Sequence, residues 1–578
     1  MTRVEKRWIL RQQPTAQEVA NLRSAINASD PLAKLLLQRG IQDFEAAKNY
    51  FNPSISSFHH PFLMKGMDKA VERITQAVEA GENILVYGDY DVDGTTSVAL
   101  VYTFLTNHYD RVSYYIPDRY GEGYGISFQG IDFAQDNDVS LIIALDCGIK
   151  AIDQVAYANE RGIDFIICDH HLPGAEVPAA LAILNPLQSD CPYPYKSLSG
   201  CGIGYKLIDA LTITWKLEES EPRQFLDLVA IAAGCDIVPI TGENRLLCHF
   251  GLRLMEQSLR PGLAMLLENG GLYKDGQLKR PLTITDLVFV IGPRINAAGR
   301  MEHGQLAVEL LTAQTTKKAE EPAARVVENN MERREVDLDM LEEALEMLEG
   351  EDPNLKSTML FAEHWHKGVV GIVASRVQDQ YYRPTIILTE SNGKVSGSAR
   401  SVRGFDVHAA IETCADLLEN FGGHQAAAGM TLAKENLAAF KERFERAVAE
   451  KILPEQLIPS LEIDIELDFD QINARFYDSM NRMAPFGPEN MRPVFVTHNV
   501  IDTGKSKCVG DGSHLKFLVS QQGNEKIKMG GIGFGLGEHM ETMKSGKPFS
   551  LVYVLEINEF RGQKNLELMV KDIRFNAA

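Results

Sequence analysis

Residues 83–96 read NILVYGDYDVDGTT. The apolar run Ile84–Tyr87, with β-branched Ile84 and Val86, leads straight into Gly88-Asp89-Tyr90-Asp91-Val92-Asp93-Gly94, and Thr95 onward reads as a helix. The pattern predicts a buried strand that delivers three alternate carboxylates at the mouth of a sheet. In an extended segment Asp89, Asp91 and Asp93 point to one side and repel one another, so a cation is expected among them. Hard divalent ions such as Mg²⁺ or Mn²⁺ take carboxylate oxygens, which makes a metal site at the carboxyl end of a parallel sheet the first reading. An acidic turn or a calcium loop is the alternative on this stretch alone.

Working outward, strands and helices alternate, the signature of a parallel α/β sheet. A helix at Thr96–Asn107 is followed by a strand at Arg111–Ile116. Val139–Leu145 (VSLIIAL) is an apolar strand ending in Asp146-Cys147-Gly148, and Asp164–Cys168 (DFIIC) is another, ending in Asp169-His170-His171. A helix at Phe225–Ala233 leads to Gly234-Cys235-Asp236. Three strands thus each end in acids or imidazoles, and a doubly wound sheet gathers such ends along one edge. Taken singly, Asp146 reads equally as a helix cap, and a lone Asp236 would usually be a cap or a satisfied core group. The His-His pair is more telling, because imidazole ligates Mn²⁺ and Asp169 can orient a ring.

With 578 residues and 64.2 kDa, the chain has room for three or four cores. Its 45% hydrophobic and 24% charged residues, with mean hydropathy −0.15, describe a folded soluble protein. The start MTRVEKRWIL has no apolar signal region, and no apolar run reaches the roughly 18 residues that cross a bilayer. Eight cysteines without a C-x-x-C pair, among them Cys147, Cys168 and Cys235 in or beside apolar runs, predict buried thiols in a reducing cytoplasm. A net charge of −21 argues against broad coating of nucleic acid but leaves room for a local basic groove.

Asp91-Val92-Asp93, Asp146, Asp169-His170-His171 and Asp236, in that order, resemble the four motifs of the DHH phosphoesterase superfamily. Within it the chain is similar to the branch of bacterial single-strand-specific 5′→3′ DNA exonucleases. The likeness spans nearly the whole length: GDYDVDG, ALDCGI, CDHH, LNP at Leu184–Pro186, AAGCDIVP and, most specific, GPRINAAGR at Gly292–Arg300. The resemblance implies two ions of Mn²⁺ or Mg²⁺. It implies that Asp93, Asp146, His170 and Asp236 hold the inner one, that Asp91 and the shared Asp146 hold the outer one with help from Asp89, and that His171 faces the scissile phosphate. The superfamily's pyrophosphatase branch has a His four residues before the first metal Asp; this chain has Tyr87, a poor ligand, so the outer ion is expected to be less fully held.

Beyond the catalytic pattern, Glu321–Gly350 reads as one long helix joining two lobes. A second strand-helix-strand series follows at Thr358–Ala362, Gly368–Gln378 and Pro384–Thr389, with three segments rich in small residues: WHKGVVGIVASR (365–376), SGSARS (396–401) and GGHQAAAG (422–429). Glycine lets backbone amides approach a phosphate, and guanidinium binds it in two-pronged fashion. These segments resemble the DHH-associated domain, in which Gly422-Gly423-His424 would hold substrate against the metals. By the same resemblance Arg294, Arg376 and Arg400, with Ser375 and His424, grip phosphates, while Asn296 and Arg300 shape the pocket. From about Pro459 short alternating strands at Val494–Ile501, Leu515–Ser520, Lys526–Phe534, Phe549–Ile557 and Asn565–Ile573 predict an OB-fold β-barrel. Lys505, Lys507, Lys516, Lys526 and Lys528 beside Phe517 and Phe534 suit single-stranded nucleic acid, or a protein partner.

The expected organisation is a helical segment and connector at 1–80, a DHH domain at 81–305, a connector helix at 306–353, a DHH-associated domain at 354–455 and an OB-fold at 456–578. The expected activity is 5′→3′ hydrolysis of single-stranded DNA to 5′-mononucleotides in recombination and repair, by a cytoplasmic monomer that meets a single-stranded-DNA-binding protein or a helicase. A phosphodiesterase for short oligonucleotides or cyclic dinucleotides would share every metal residue but has little use for the barrel. A non-catalytic Cdc45-like replication scaffold would lack the ligands found here.

Overall fold

The computed structural model describes residues 5–560 and 562–575. Ile55–Leu457 with Gly487–Glu489 form one unit, and the other described residues form a second.

In the first unit the strand Asn83–Gly88 is buried from Ile84 onward because it is covered on both faces, as a parallel sheet requires. Its period-two alternation sends Ile84 and Val86 into one apolar cluster, with Ile74 and Leu100, and Leu85 and Tyr87 into another, with Ile131 and Ile142. Five parallel strands lie in the order Val112–Tyr115, Asn83–Gly88, Val139–Leu145, Asp164–Cys168 and Ala182–Leu184. Their carboxyl ends open on one edge, so residues far apart in sequence meet there.

The three alternate acids do not continue the strand, contrary to the expectation of one extended carboxylate face. The helix begins at Val92 rather than at Thr95 and runs to Thr106, because the Asp91 side chain accepts from the Gly94 N–H at 3.0 Å and caps it. Asp93 therefore sits in the first helical turn. Gly94 permits this start: a Cβ there would meet the Asp89 carbonyl oxygen at 2.3 Å. The later helix spans Leu226–Cys235 instead of Phe225–Ala233, which makes Asp236 its C-cap residue.

The connector is a 33-residue helix, Thr316–Leu348, with Pro322 inside it. It is more than a solvated spacer. Ala319, Ala323 and Val326 join the catalytic core, and Met340, Ala344 and Leu348 pack with Val370, Val373 and Val377 of the helix Val370–Tyr381. That helix lies on a second sheet, ordered Asn420–His424, Ala427–Leu432, Lys394–Arg400, Thr385–Ser391 and Thr358–Ala362, with only the last pair parallel.

In the second unit, the strands Phe495–Asp502, Phe549–Phe560, Gln563–Phe575, Asn524–Gly533 and His514–Gln521 pair in turn, and the first also pairs with the last, closing a barrel. The N-terminal segment, expected to be helical, contributes a strand as well: Arg7–Leu10 runs parallel to Ser460–Ile463. Val19, Leu22, Leu32, Leu35 and Leu36 from its helices join the barrel's apolar cluster. Among the described residues no helix is long and apolar enough to cross a membrane.

One buried ion pair locks the framework behind the catalytic sheet. Lys206 and Glu243 are both fully buried and 2.7 Å apart. Glu243 also accepts from the Tyr193 hydroxyl (2.6 Å) and the His59 N–H (2.9 Å), while Lys206 donates to the His59 carbonyl (2.9 Å). The irregular segment around His59 is thereby tied to the helix Gly200–Trp215. Lys206→Met leaves Glu243 buried without its counter-charge and should cost about 3–5 kcal/mol, read from urea unfolding; Lys206→Met with Glu243→Gln should cost clearly less.

Candidate active site

Asp93 is fixed before any ligand arrives. Its two carboxylate oxygens accept from the backbone N–H groups of Gly200 (2.6 Å) and Cys201 (2.7 Å), the first residues of the helix Gly200–Trp215. A helix N-terminus presents unpaired N–H groups and positive dipole, which suits a carboxylate. Gly200 is required by contact: a Cβ on it would meet Cβ of Asp146 at 2.6 Å.

His170 is the hub. Its Nε2 lies 3.2 Å from Oδ1 of Asp146, 3.4 Å from Oδ2 of Asp236 and 3.9 Å from Oδ2 of Asp93. Asp93, His170 and Asp236 bring one donor atom each within 4.8 Å of one another, and so do Asp146, His170 and His171. Asp146 reaches this point by leaving its strand in the left-handed region at φ 61°, which Asp tolerates better than most residues.

Asp169 is not in these groups. It is buried, accepts from the His171 backbone N–H at 3.0 Å and the Ile149 N–H at 2.9 Å, and stands 2.7 Å from Nδ1 of His171. That bond directs Nε2 of His171 outward, to 3.2 Å from the Tyr124 hydroxyl, on a side chain 43% exposed. Burial opposes a charged ring, but the bond to Asp169 and its charge win and raise the His171 pKa. His170 goes the other way: burial first, then the neighbouring His171, lower its pKa to about 4, so it is a neutral donor at pH 7.

Asp89 and Asp91 stand beside these groups rather than within them. Asp91 is occupied as a helix cap, and Asp89 accepts from the Gly125 N–H at 3.3 Å through Oδ1. Tyr87 points into the core with Leu85, stacked on Tyr115 at 5.4 Å, with its hydroxyl donating to the Gly125 carbonyl at 3.0 Å. It is a core residue that orders the loop behind Asp89.

Burial, followed by the charges of neighbouring acids, raises the pKa values of Asp89, Asp93, Asp146 and Asp236. Oδ2 of Asp89 and Oδ1 of Asp146 are buried without a hydrogen bond. Orphaned oxygens beside a neutral imidazole, in a cluster that repels itself, fit a hard divalent cation such as Mn²⁺ or Mg²⁺.

A basic group stands next to the acids. The Arg119 guanidinium lies 4.2 Å from the centre of the Tyr90 ring, and its Nε is buried without a hydrogen bond. Arg300, on the helix Gly292–Met301, donates to the Gly368 carbonyl at 2.7 Å, and its own carbonyl accepts from the Tyr120 hydroxyl. Burial, then the charges of Arg119, Arg333 and Arg400, lower its pKa to about 10. Arg400 reaches Oγ of Ser375 (3.1 Å) and Oγ of Ser398 (2.6 Å), and Arg376 stands 2.9 Å from Asp337.

Not every expected residue joins this group. Arg294 turns to Oδ1 of Asn269 (2.8 and 3.0 Å) and the Val290 carbonyl (2.6 Å). Asn296 is half-buried on the same helix as Arg300. Gly422, Gly423 and His424 are exposed on the outermost strand of the second sheet. Sequence reasoning missed Arg119, Tyr124 and the Gly200–Cys201 clasp. The glycine-rich SGCGIG at 199–204, opening an apolar helix, was a usable signal for the clasp; a lone Arg in the loop DRYGEGYG was not.

Comparison with known proteins gives the family. Residues 83–233 match the DHH family N-terminal domain, 354–450 the DHHA1 domain and 463–572 the RecJ OB domain. The chain is 37% identical over 568 residues to the single-stranded-DNA-specific exonuclease RecJ of Bacillus subtilis, covering 98% of this chain and 70% of that protein. It is 33% identical over 584 residues to that of Dickeya dadantii, covering 98% of each. The crystal structure of RecJ with Mn²⁺ from Thermus thermophilus aligns at TM-score 0.82 and 26% identity, over 99% of this chain and 80% of that one. A manganese-bound exonuclease RecJ aligns at 0.58 and 31% identity, over 68% of this chain and 96% of that one.

The raised carboxylates set a pH dependence. Their folded-state pKa values exceed the unfolded one, so the folded, metal-free protein holds more protons and loses stability as pH rises from the ordinary carboxylate range through those folded values. In EDTA the melting temperature should fall between pH 5.5 and 8.5, and Mn²⁺ should raise it by more at pH 8.5. Equal Mn²⁺ increments at both pH values would contradict the carboxylate origin.

Proposed function

Because this chain belongs to the RecJ family of single-stranded-DNA-specific exonucleases, we propose that its carboxylate–imidazole edge and its guanidinium group act together on the 5′ end of a single strand. The observation that carries this reading is the juxtaposition itself. Asp93, Asp146, His170 and Asp236 converge where a cation fits, and Arg119 and Arg300 stand beside them to meet phosphate.

Asp93, Asp146, His170 and Asp236 would hold one Mn²⁺ or Mg²⁺, and Asp146, Asp91 and Asp89 a second. When bound, such ions activate water near neutral pH and neutralise charge on a phosphodiester. The chain's own residues do the positioning. The N–H groups of Gly200 and Cys201 keep Asp93 in place, and Asp169 holds the His171 ring with Nε2 toward the Tyr124 side, where it can donate to a phosphate oxygen. Its raised pKa favours that protonated form. Arg119, Arg300, Arg376 and Arg400, with Ser375, supply charge-assisted bonds to the terminal phosphate, and Asn296 and His424 border the nucleotide. Arg294, committed to Asn269, is assigned to holding its helix.

The substrate is single-stranded DNA, cut 5′→3′ to mononucleotides. The protein partner class we assign is a single-stranded-DNA-binding protein or a helicase that presents the strand, to a cytoplasmic monomer. A 5′-phosphorylated single-stranded oligonucleotide with Mn²⁺ should be shortened from its 5′ end, EDTA should stop it, and duplex and dinucleotide should be poor substrates. Preference for the dinucleotide would overturn the assignment in favour of a short-substrate phosphodiesterase. Asp146→Asn should lower turnover by at least a hundredfold, on the rule that about 1.4 kcal/mol is a factor of ten; a folded variant with most of its turnover would show that Asp146 is not a shared ligand.

The barrel supplies grip. Lys505, Lys507, Lys516, Lys526 and Lys528 are all exposed, and Lys507 lies opposite Lys516 in register, an arrangement that costs stability until an anion joins it. Of the two aromatic residues expected to stack bases, Phe517 is instead only 2% exposed, because Leu515, Phe517 and Val519 alternate inward. Phe534 is 57% exposed, edge-on to His514 at 5.1 Å. Stacking contributes roughly 1–3 kcal/mol per base. Phe534→Ala should weaken binding of a long oligonucleotide about tenfold by fluorescence anisotropy, with a smaller effect on a very short one; unchanged affinity would move the barrel to a protein-docking role.

A further inference from the structure

The connector helix carries one charge that its packing does not call for. Asp337 has a side chain with no exposure, next in sequence to Val336 and one turn before Met340, on the stretch that packs against Val373 and Val377. Burial there pushes the carboxyl pKa up, against the pull of Arg376, Arg333 and Arg334. Nη2 of Arg376 stands 2.9 Å away and Nη1 of Arg333 3.7 Å. Neither oxygen has a hydrogen bond of good geometry, so the carboxylate is held by these cations rather than by a directed network.

Three guanidinium groups around one carboxylate leave a surplus of positive charge, and Arg333 in turn adds to the charge felt by Arg300. A phosphate group is the kind of anion that such a cluster attracts. Arg376 is placed to receive it: Nη2 goes to Asp337, the side chain stays 40% exposed, and the Nε and Nη1 donors remain for a ligand. It follows Ser375, whose hydroxyl accepts from Arg400, so both guanidinium groups meet the same turn of the helix Val370–Tyr381.

We propose that Asp337 is a positioning residue for end recognition: it fixes Arg376 and Arg333 so that they receive the 5′-terminal phosphate. This makes the strand-end pocket depend on how the connector helix seats against the helix Val370–Tyr381. The inference rests on the reading of Arg376 as a grip on that phosphate.

The test compares 5′-phosphate and 5′-hydroxyl forms of one oligonucleotide, with Mn²⁺, on the full chain. Asp337→Asn keeps the shape and removes the charge. KM for the phosphorylated strand should rise on the order of tenfold, the change lying in KM more than in kcat, so that the preference for a phosphorylated end falls toward unity. Arg376→Ala should do the same, and the double variant should lose little more than the worse single one, since both act through one contact. A folded Asp337→Asn that keeps the wild-type preference while Arg376→Ala loses it overturns the inference. So does an Asp337→Asn that only lowers the melting temperature and affects both ends alike. An Arg376→Ala with equal losses on both ends overturns the reading of Arg376 itself, a separate and recognisable failure. Should Asp337→Asn not fold, Asp337→Asn with Arg334→Gln, which removes one charge of each sign and leaves Arg333 and Arg376 in place, carries the same comparison.

Discussion

Mutual repulsion among buried carboxylates is the constraint on which this structure turns. Asp89, Asp93 and Asp146 have almost no exposure, and Asp236 joins them at the same sheet edge. Burial, and then the charge of the neighbouring acids, raises every one of their pKa values, and part of that cost is offset from behind. Asp93 has a helix N-terminus, Asp89 a loop N–H, and Asp146 the close approach that Gly200 alone permits. The sheet therefore does more than display ligands. Its helices absorb enough of the cost for the site to exist before an ion arrives, the general requirement for a preorganised metal centre.

The opposite pole is built with the same economy. Arg119, Arg300, Arg333, Arg376 and Arg400 come from the first sheet's loops, a buried helix, the connector and the second lobe, and each stands near another cation. Asp337 offsets part of this charge, and a phosphodiester with divalent ions is the kind of ligand that suits both poles. The two groups are opposite in sign, which suits a ligand that brings both phosphate and divalent cations.

Much of this was legible in the sequence. Strands such as Val139–Leu145 and Asp164–Cys168 have the bounds their apolar runs announce, because a strand buried on both faces has no other pattern to show. The acids and His170 were identifiable because polar groups at the ends of such runs are expensive unless used. Local turn geometry was less readable. The strand stops at Gly88 and Asp91 caps a helix, a choice made by the Gly94 N–H bonding the Asp91 side chain, which the alternate acids do not announce. Tyr87 looked like a degraded ligand but is a core residue, because its ring packs in the cluster of Leu85 and Ile131 and its hydroxyl is taken up by the Gly125 carbonyl. Strand parity, applied to Leu515, Phe517 and Val519, would have put Phe517 inside the barrel. Arg119 carries no sequence signal, because a single loop Arg is ordinary until its neighbours are known.

The pairing of Arg7–Leu10 with Ser460–Ile463 has a consequence in time. Arg11 and Asp464, 453 positions apart, bond across that junction. At about 5–20 residues per second, the ribosome makes the first strand roughly 20–90 seconds before its partner. The catalytic unit lies almost wholly between them and can collapse while the N-terminal strand waits. Through that interval Leu22, Leu32, Leu35 and Leu36 have no barrel to cover them, and the newborn chain carries an adhesive apolar surface until the barrel strands emerge.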